Sequence, residues 1–326
     1  MNQKIAEIAG ICLDGAQIDR EQIERLLAEA ENDLCDLLYW ANRIREKFFA
    51  DKVKICSIVP GRLGGCNQDC KFCAQSTRYK TPYAKARLIS DEQILDAAKN
   101  TKAAGVTTFG IVYSGNTVGE KELARLRNLI SQIRNSIGLD VCASLGVMTV
   151  QQAASLVDAG LTRYNHNLET SERHFANIVT THKYSDRVET IQAAKQAGLR
   201  VCAGGIFGIG ETEDDTVQMA LQLRRLDVDA VPMNFLHPIE GTPLANQKTL
   251  EPRQILKTIA LYRFMLPNKT LKIAGGRTRN LRDLQSWMFY AGANAILSGN
   301  YLTTTGRAVK EDLQMLADLG LQQDTD

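Results

Sequence analysis

Cys66, Cys70 and Cys73 stand at a CxxxCxxC spacing in the stretch CNQDCKFC, in a loop behind a short apolar run at 54–59. Thiolates suit iron–sulfur clusters, and a cysteine-dense loop is the usual way of holding one. Three thiolates account for three irons of a four-iron cubane and leave the fourth open. No further cysteine follows until Cys142. An open iron can chelate a small molecule such as S-adenosylmethionine (SAM) through its amino and carboxylate groups. A zinc knuckle and three unrelated core thiols are the plainer readings. Structural zinc wants four closed ligands, and no fourth Cys or His lies in the local sequence.

The other chemistry-bearing residues fall at the ends of apolar runs. The run near 163–168 reads YNHNLE, too polar for a core strand unless it meets a ligand; a satisfied buried network is the plain alternative. The run near 200–208 carries Cys202 and then Gly204 and Gly205, which would let a flat ligand approach the backbone. Further runs end in MNFLHP, with Asn234, and in AGGR, with Arg277. No two of the four histidines have metal-ligand spacing, and none is assigned to a metal.

These runs belong to a regular alternation. Strand-length apolar segments recur near 54–59, 107–113, 140–144, 163–168, 200–208, 230–236, 270–275 and 294–298, with helical stretches between them. Ser90 to Gln93 has the form of a capping box, and Thr149 and Ser185 are placed to cap two further helices. Ala-Gly precedes strands at 104–105, 159–160 and 197–198, where glycine ends a helix in a left-handed turn. Eight βα units of this size predict an α/β fold, a closed (β/α)8 TIM-type barrel over 51–326 with a C-terminal segment. A doubly wound open sheet is the alternative. Residues 1–50 read as an N-terminal helical extension, with Asp19 capping a helix over 20–31 and Cys12 and Cys35 as buried thiols.

Composition bounds the rest. The 326 residues are 44% hydrophobic and 23% charged with a net charge of +2, which gives no reason to expect nucleic acid or an anionic membrane as partner. No apolar run reaches the length of a membrane helix and no secretory signal is visible, so the eight cysteines read as metal ligands and core thiols of a cytoplasmic protein.

The cysteine motif, with an aromatic residue before its last cysteine, resembles that of radical-SAM enzymes. From about residue 36 onward the chain resembles biotin synthases, on GGCNQDCKFCAQSTRYKT, YNHNLET, VCAGGIFGIGET, MNFLHPIEGTPL and IAGGRTRN. The resemblance implies conversion of dethiobiotin to biotin. A 5′-deoxyadenosyl radical from SAM abstracts hydrogen, and an auxiliary iron–sulfur cluster gives up sulfur to the substrate carbons. It implies Cys66, Cys70 and Cys73 as 4Fe-4S ligands. Asn167 and Glu169 fall at the SAM ribose and the substrate, Arg187 at the methionyl carboxylate, and Asn234 at the ureido group of the substrate. Glu169 stands where the family usually has Asp. Cys142, Cys202 and Arg277 match three auxiliary-cluster ligands, whereas the usual second-strand cysteine falls on Gly110. Cys56, where the family normally has serine, is expected to take over that corner. Cys56, Cys142, Cys202 and Arg277 would then come from the four odd strands, and the new ligand set would favour a four-iron cluster with an extra sulfide over a two-iron one. A homodimer and an electron donor of flavodoxin or ferredoxin type follow from the resemblance. Another radical-SAM enzyme on the same scaffold, such as a hydrogenase-cofactor maturase, is the second reading, and a non-catalytic iron–sulfur scaffold the third.

Overall fold

The computed structural model describes residues 1–325. Three helices open the chain: α1 (Gln3–Leu13), α2 (Arg20–Ala30) and α3 (Leu34–Phe49). Asp19 starts α2 with a reciprocal capping box to Gln22. The buried stripe of α3, with Leu37, Leu38, Ala41 and Ile44, belongs to the same core as the barrel helices. Cys12 is buried and its thiol donates to the Phe264 carbonyl, whereas Cys35 is exposed. The expectation of a buried thiol therefore fails for Cys35, which lies on the solvent side of α3.

Eight strands then form the barrel wall: β1 (Lys52–Leu63), β2 (Thr108–Tyr113), β3 (Asp140–Ser144), β4 (Arg163–Asn165), β5 in two pieces (Arg200–Cys202 and Gly205–Phe207), β6 (Ala230–Phe235), β7 (Thr270–Ile273) and β8 (Ala295–Leu297). All neighbours pair in parallel, and β8 pairs back onto β1, so the sheet closes. The intervening helices are α4 (Asp91–Ala103), α5 (Glu120–Gln132), α6 (Val150–Asp158), α7 (Glu172–Ile178), α8 (Tyr184–Gln196), α9 (Glu213–Arg225) and α10 (Pro252–Met265). Short helices α11 (Arg277–Leu281) and α12 (Trp287–Tyr290) and the longer α13 (Val309–Asp318) complete the chain.

Ser90 and Thr149 cap α4 and α6 as their sequences require. Ser185 does not cap α8: the helix begins one residue earlier, and Asp186 accepts from the Lys183 N–H. Several strands are shorter than their apolar runs, two of them beside the site. β4 stops at Asn165, and β5 breaks around Gly204, because the chain there leaves regular pairing to cross toward the barrel mouth. At both glycines of that break the tight approach is between the chain's own strands. A Cβ on Gly204 would lie 2.1 Å from the Pro232 carbonyl oxygen, and one on Gly205 2.5 Å from that of Glu169.

Register places a layer of four side chains inside the barrel. Cys56 on β1 pairs with Thr108, and Thr108 with Asp140, two residues before Cys142. Cys142 leads through Arg163 to Arg200, two residues before Cys202. Cys202 leads through Ala230 to Thr270, two before Lys272, and Lys272 leads through Ala295 to Lys54, two before Cys56. Four advances of two residues each return to the start, the stagger of a closed eight-stranded barrel whose interior is filled in layers from alternate strands. The neighbours of these four along each strand, such as Ile55, Val141, Val201 and Leu271, belong to the core packed against the helices. The layer itself faces the lumen.

Candidate active site

The 66–73 loop is built by its own backbone and by one carboxylate. Cys66 N–H donates to the Gln75 carbonyl at 3.3 Å, Cys73 N–H to that of Cys70 at 2.9 Å, and Thr77 N–H to that of Cys66 at 2.7 Å. Asp69 reaches across to the loop after α7. Its Oδ1 accepts from the Thr180 and Thr181 N–H groups at 2.9 and 3.2 Å and from the Thr181 hydroxyl, and its Oδ2 accepts from the Thr180 hydroxyl. Burial opposes the Asp69 charge, but these donors outweigh it and hold the carboxyl well below the usual range.

Cys66, Cys70 and Cys73 line a cavity of about 220 Å³ with Asn165, His166, Asn167, Glu169, His182 and Arg187. Burial pushes the Cys70 thiol up, and the Cys73 thiol up to about 11, so without a metal both stay protonated at neutral pH. No three His, Cys, Asp or Glu among the described residues are drawn to the spacing of a single metal ion. A cubane is wider than an ion, and three thiols bordering one cavity fit it better than they fit zinc.

Arg187 anchors the far wall. Its guanidinium donates to the Asn167 carbonyl at 2.8 Å, faces Glu169 at 3.5 Å, and meets His182 Nε2 at 3.0 Å. His182 Nδ1 meets Gln68 Oε1 at 2.8 Å, which makes Nδ1 the protonated nitrogen and ties the cysteine loop to Arg187 through one imidazole. Burial, and then Arg187, bring the His182 pKa down to about 4, so the ring stays neutral as this bridge requires. Glu169 sits at φ +72°, a left-handed conformation costly for a residue with a Cβ. Burial raises its pKa and Arg187 works against that. Neither Gln68 nor His182 was singled out by sequence, because neither spacing nor residue type marks a bridge formed across separate loops.

A second cavity, of about 300 Å³, shares Phe72, Cys73, Gln75, Asn167 and Glu169 with the first. Ile58, Ile206, Leu297 and Leu302 make it mostly apolar, and Asn234 and Tyr301 bring polar groups. The Asn234 amide is already engaged: it donates to the Gly205 carbonyl at 3.1 Å and accepts from Gly275 N–H at 2.9 Å, tying the ends of β5 and β7. Gly204 and Gly205, expected as a cofactor cradle, are instead filled by protein atoms; Gly204 N–H donates to Asn167 Oδ1 at 3.2 Å and so orients that side chain.

The cysteine layer lies beneath this second cavity. Cys56 packs with Ala274 and Leu297, against Ile58 and Tyr301. The Asn165 amide donates to Cys142 Sγ at 3.4 Å, and Lys272 Nζ lies 3.9 Å from Cys56 Sγ. Burial pushes the Cys142 thiol up to about 11, with Lys272 opposing. Burial also works against the Lys272 ammonium, but Cys202, Cys56 and Cys142 outweigh it and its pKa is raised. At Gly110, on which the family's usual cysteine falls, a Cβ would sit 3.0 Å from both Cys142 Sγ and Ile58 Cγ2, a close fit against two side chains.

Arg277, expected among the ligands of this layer, is engaged by a carboxylate of the C-terminal part of the chain. It is fully buried in a two-pronged ion pair with Asp312 of α13, at 3.0 and 2.7 Å, and Ser298 donates to the same carboxylate at 2.7 Å. The seventh-strand residue beside the thiols is Lys272, five positions earlier. Sequence reasoning missed it because a lysine inside an apolar run carries no signal of which face it takes.

Comparison with known proteins shows the family and the fold. Residues 62–223 match the Radical SAM superfamily model, and residues 232–322 match that of the Biotin and Thiamin Synthesis associated domain. The chain is 47% identical over 315 residues to a biotin synthase of Geobacter sulfurreducens, covering 96% of each. It is 45% identical over 326 residues to a biotin synthase of Carboxydothermus hydrogenoformans, covering 99% of this chain and all of that one. Among solved structures, methylornithine synthase superposes with a TM-score of 0.84 at 22% identity over 97% of both chains. The FeFe-hydrogenase maturase HydG from Carboxydothermus hydrogenoformans superposes with 0.83 at 17% identity, over 99% of this chain and 80% of that one. At such identities these two share the fold alone.

Proposed function

Since this chain belongs to the biotin synthase family and forms biotin from dethiobiotin by radical-SAM chemistry, we propose that it takes its sulfur from a cluster held by Cys56, Cys142 and Cys202. Lys272 stands as the fourth member of that layer, in the place expected for Arg277. The carrying observation is vertical order. The cavity of Cys66, Cys70 and Cys73 shares a wall with an apolar chamber, and the second cysteine layer lies under that chamber.

Cys66, Cys70 and Cys73 would hold the 4Fe-4S cluster, which with SAM supplies the radical that removes hydrogen from the substrate. The chain's own groups do the rest. Arg187 presents a cation for the SAM carboxylate, a charge-assisted contact, while its bonds to Asn167 and His182 keep it in place. Asn167 and Glu169, in the wall between the two cavities, would meet both SAM and substrate. Asn234 keeps one amide hydrogen beyond its bond to Gly205 and so offers a donor to the ureido group. The apolar lining of the chamber excludes water from a reactive carbon centre. Three thiols around a lumen with no cysteine at Gly110 fit a cluster of four irons with an additional sulfide better than the usual two-iron form.

A homodimer and an electron donor of flavodoxin or ferredoxin type complete the reading on family grounds alone. A cytoplasmic setting is favoured by eight free cysteines; among the described residues no helix is long and apolar enough to cross a membrane. A maturase-type activity is the weaker reading, because it leaves the second cysteine layer without a task.

The test is Cys56→Ser in anaerobically reconstituted protein, followed by iron and sulfide analysis and Mössbauer spectra. The expected outcome is loss of the second cluster and of biotin, with 5′-deoxyadenosine formation retained. A variant that keeps both clusters and makes biotin would show Cys56 to be core.

A further inference from the structure

The cysteine layer contains more positive charge than its neighbours balance. Arg163 on β4 pairs in register with Cys142 and is 7% exposed, as is Lys272. Cys56, Cys142 and Cys202 all act on the charge of Arg163, as they do on that of Lys272. The Nε of Arg163 is buried without a hydrogen-bond partner. The carboxylate nearest in its influence, Asp140, is committed elsewhere: it accepts from Arg134 at 3.0 Å, Thr162 at 2.6 Å and Arg200 at 3.1 Å. Lys272 has the Cys56 sulfur at 3.9 Å, at the outer limit of a sulfur contact.

Two cations buried beside three thiols, with no carboxylate of their own among the described residues, are a costly arrangement unless an anion joins them. Deprotonation of the thiols on binding iron meets part of that need. A four-iron core held by three thiolates still has one iron without a cysteine, and a sulfide there would add further negative charge to this layer. We propose that Arg163 and Lys272 form the subsite that holds this additional sulfide, with Arg163 acting as its positioning residue. The proposal rests on the reading of Cys56, Cys142 and Cys202 as donor-cluster ligands. It adds what that reading leaves open, namely which groups of this chain retain the atom to be donated.

The guanidinium supplies several N–H donors in a fixed plane, and an N–H with no protein partner is free to meet a sulfide. Hydrogen bonds and nearby charge also set the potential of an iron–sulfur centre, and a cation favours its reduced, more anionic form. Removing Arg163 should therefore weaken sulfide retention and, at equal sulfide occupancy, lower the potential, while the iron stays with its thiolates.

The experiment uses anaerobically reconstituted full-length protein with inorganic sulfide as the probe. Sulfide retained after desalting is titrated against iron, and the midpoint potential of the second cluster is measured, for the unaltered chain, Arg163→Met, Arg163→Lys and Lys272→Met. Arg163→Met should hold the additional sulfide about tenfold more weakly, the loss of one charge-assisted contact. Its iron content should not change, its potential measured with sulfide saturating should fall, and Arg163→Lys should restore part of both the retention and the potential. Lys272→Met should act in the same direction, so the test survives if Arg163→Met does not fold. Sulfide-to-iron ratio and potential unchanged in both Met variants would overturn the proposal. Failure of the underlying reading is separate, because it appears as a second cluster that persists in Cys56→Ser.

Discussion

Cys66, Cys70 and Cys73 occupy one loop of eight residues, whereas Cys56, Cys142 and Cys202 come from three strands with whole βα units between them. The first set is held by the loop's own hydrogen bonds and by Asp69, and it would keep its order if the barrel were slightly deformed. The second exists only because the sheet closes with its particular stagger, so a shift of one residue in any strand would turn its cysteine out of the lumen. They also differ in charge. The upper cavity pairs Arg187 with Glu169, while the lower layer sets Arg163 and Lys272 among thiols. A local motif suits a cofactor that must accept a fresh ligand each turnover. On the proposed reading, a ring drawn from odd strands would enclose the atom to be given up.

The sharpest way to break this comparison is to remove one thiol from each set. Cys70→Ala should abolish 5′-deoxyadenosine formation, and with it biotin. Cys142→Ala should abolish biotin alone. Chromatographic quantification of both products distinguishes the two, and identical product losses would erase the division of labour.

Next in size is the contrast between Arg277 and Lys272. Arg277→Met leaves the Asp312 carboxylate buried without its partner and should cost about 3–5 kcal/mol of stability. Iron content at the second cluster should be untouched when the protein is kept cool. Chemical unfolding and iron analysis of the same samples check it. An Arg277 variant of full stability that lacks the second cluster would return that residue to the ligand set.

Smaller effects separate the two ligands. Asn234→Ala should weaken dethiobiotin binding by roughly 1–3 kcal/mol and leave SAM binding nearly unchanged, while Arg187→Ala should do the reverse. Equilibrium binding of each ligand to each variant reads the four values. Equal loss of both ligands in both variants would mean that the shared wall, rather than either side chain, governs binding.

The smallest expected effect concerns the loop alone. The Asp69 carboxyl is held below its ordinary range, so its contribution is present above the unfolded value of about 4 and is lost as pH falls from there through the folded value. Asp69→Asn should cost about 1 kcal/mol at neutral pH. The gap from the unaltered chain should stay constant down to about pH 4 and narrow below it. Urea unfolding at several pH values tests this, and a gap that widens in acid would contradict the assignment.

Much of this was legible before folding. Eight apolar runs, caps at Ser90 and Thr149, and glycine helix ends marked the βα units, because hydrophobic period and capping are local physics. The upper triad was legible for the same reason: its spacing lies within one loop. The motifs around Asn167, Glu169 and Asn234 were recognisable as strand-end polar groups, but their hydrogen bonds to Gly204, Gly205 and Gly275 were not. Those bonds join separate strands.

Sequence by itself marked a cysteine loop with the spacing expected of an open cluster, eight strands to carry it, and a cysteine on each of the first, third and fifth strands. Tertiary structure decided what stands beside those cysteines. Arg277 and Lys272 belong to the same stretch, and either cation could have completed the ring on charge alone. The stagger of the closed barrel turns Lys272 into the lumen, while α13 brings Asp312 to Arg277 and binds it away from the thiols. A side chain's face on a strand is set by register with its neighbours, and its ion pair by which distant helix returns to it. Neither quantity is contained in the spacing of residues along the chain.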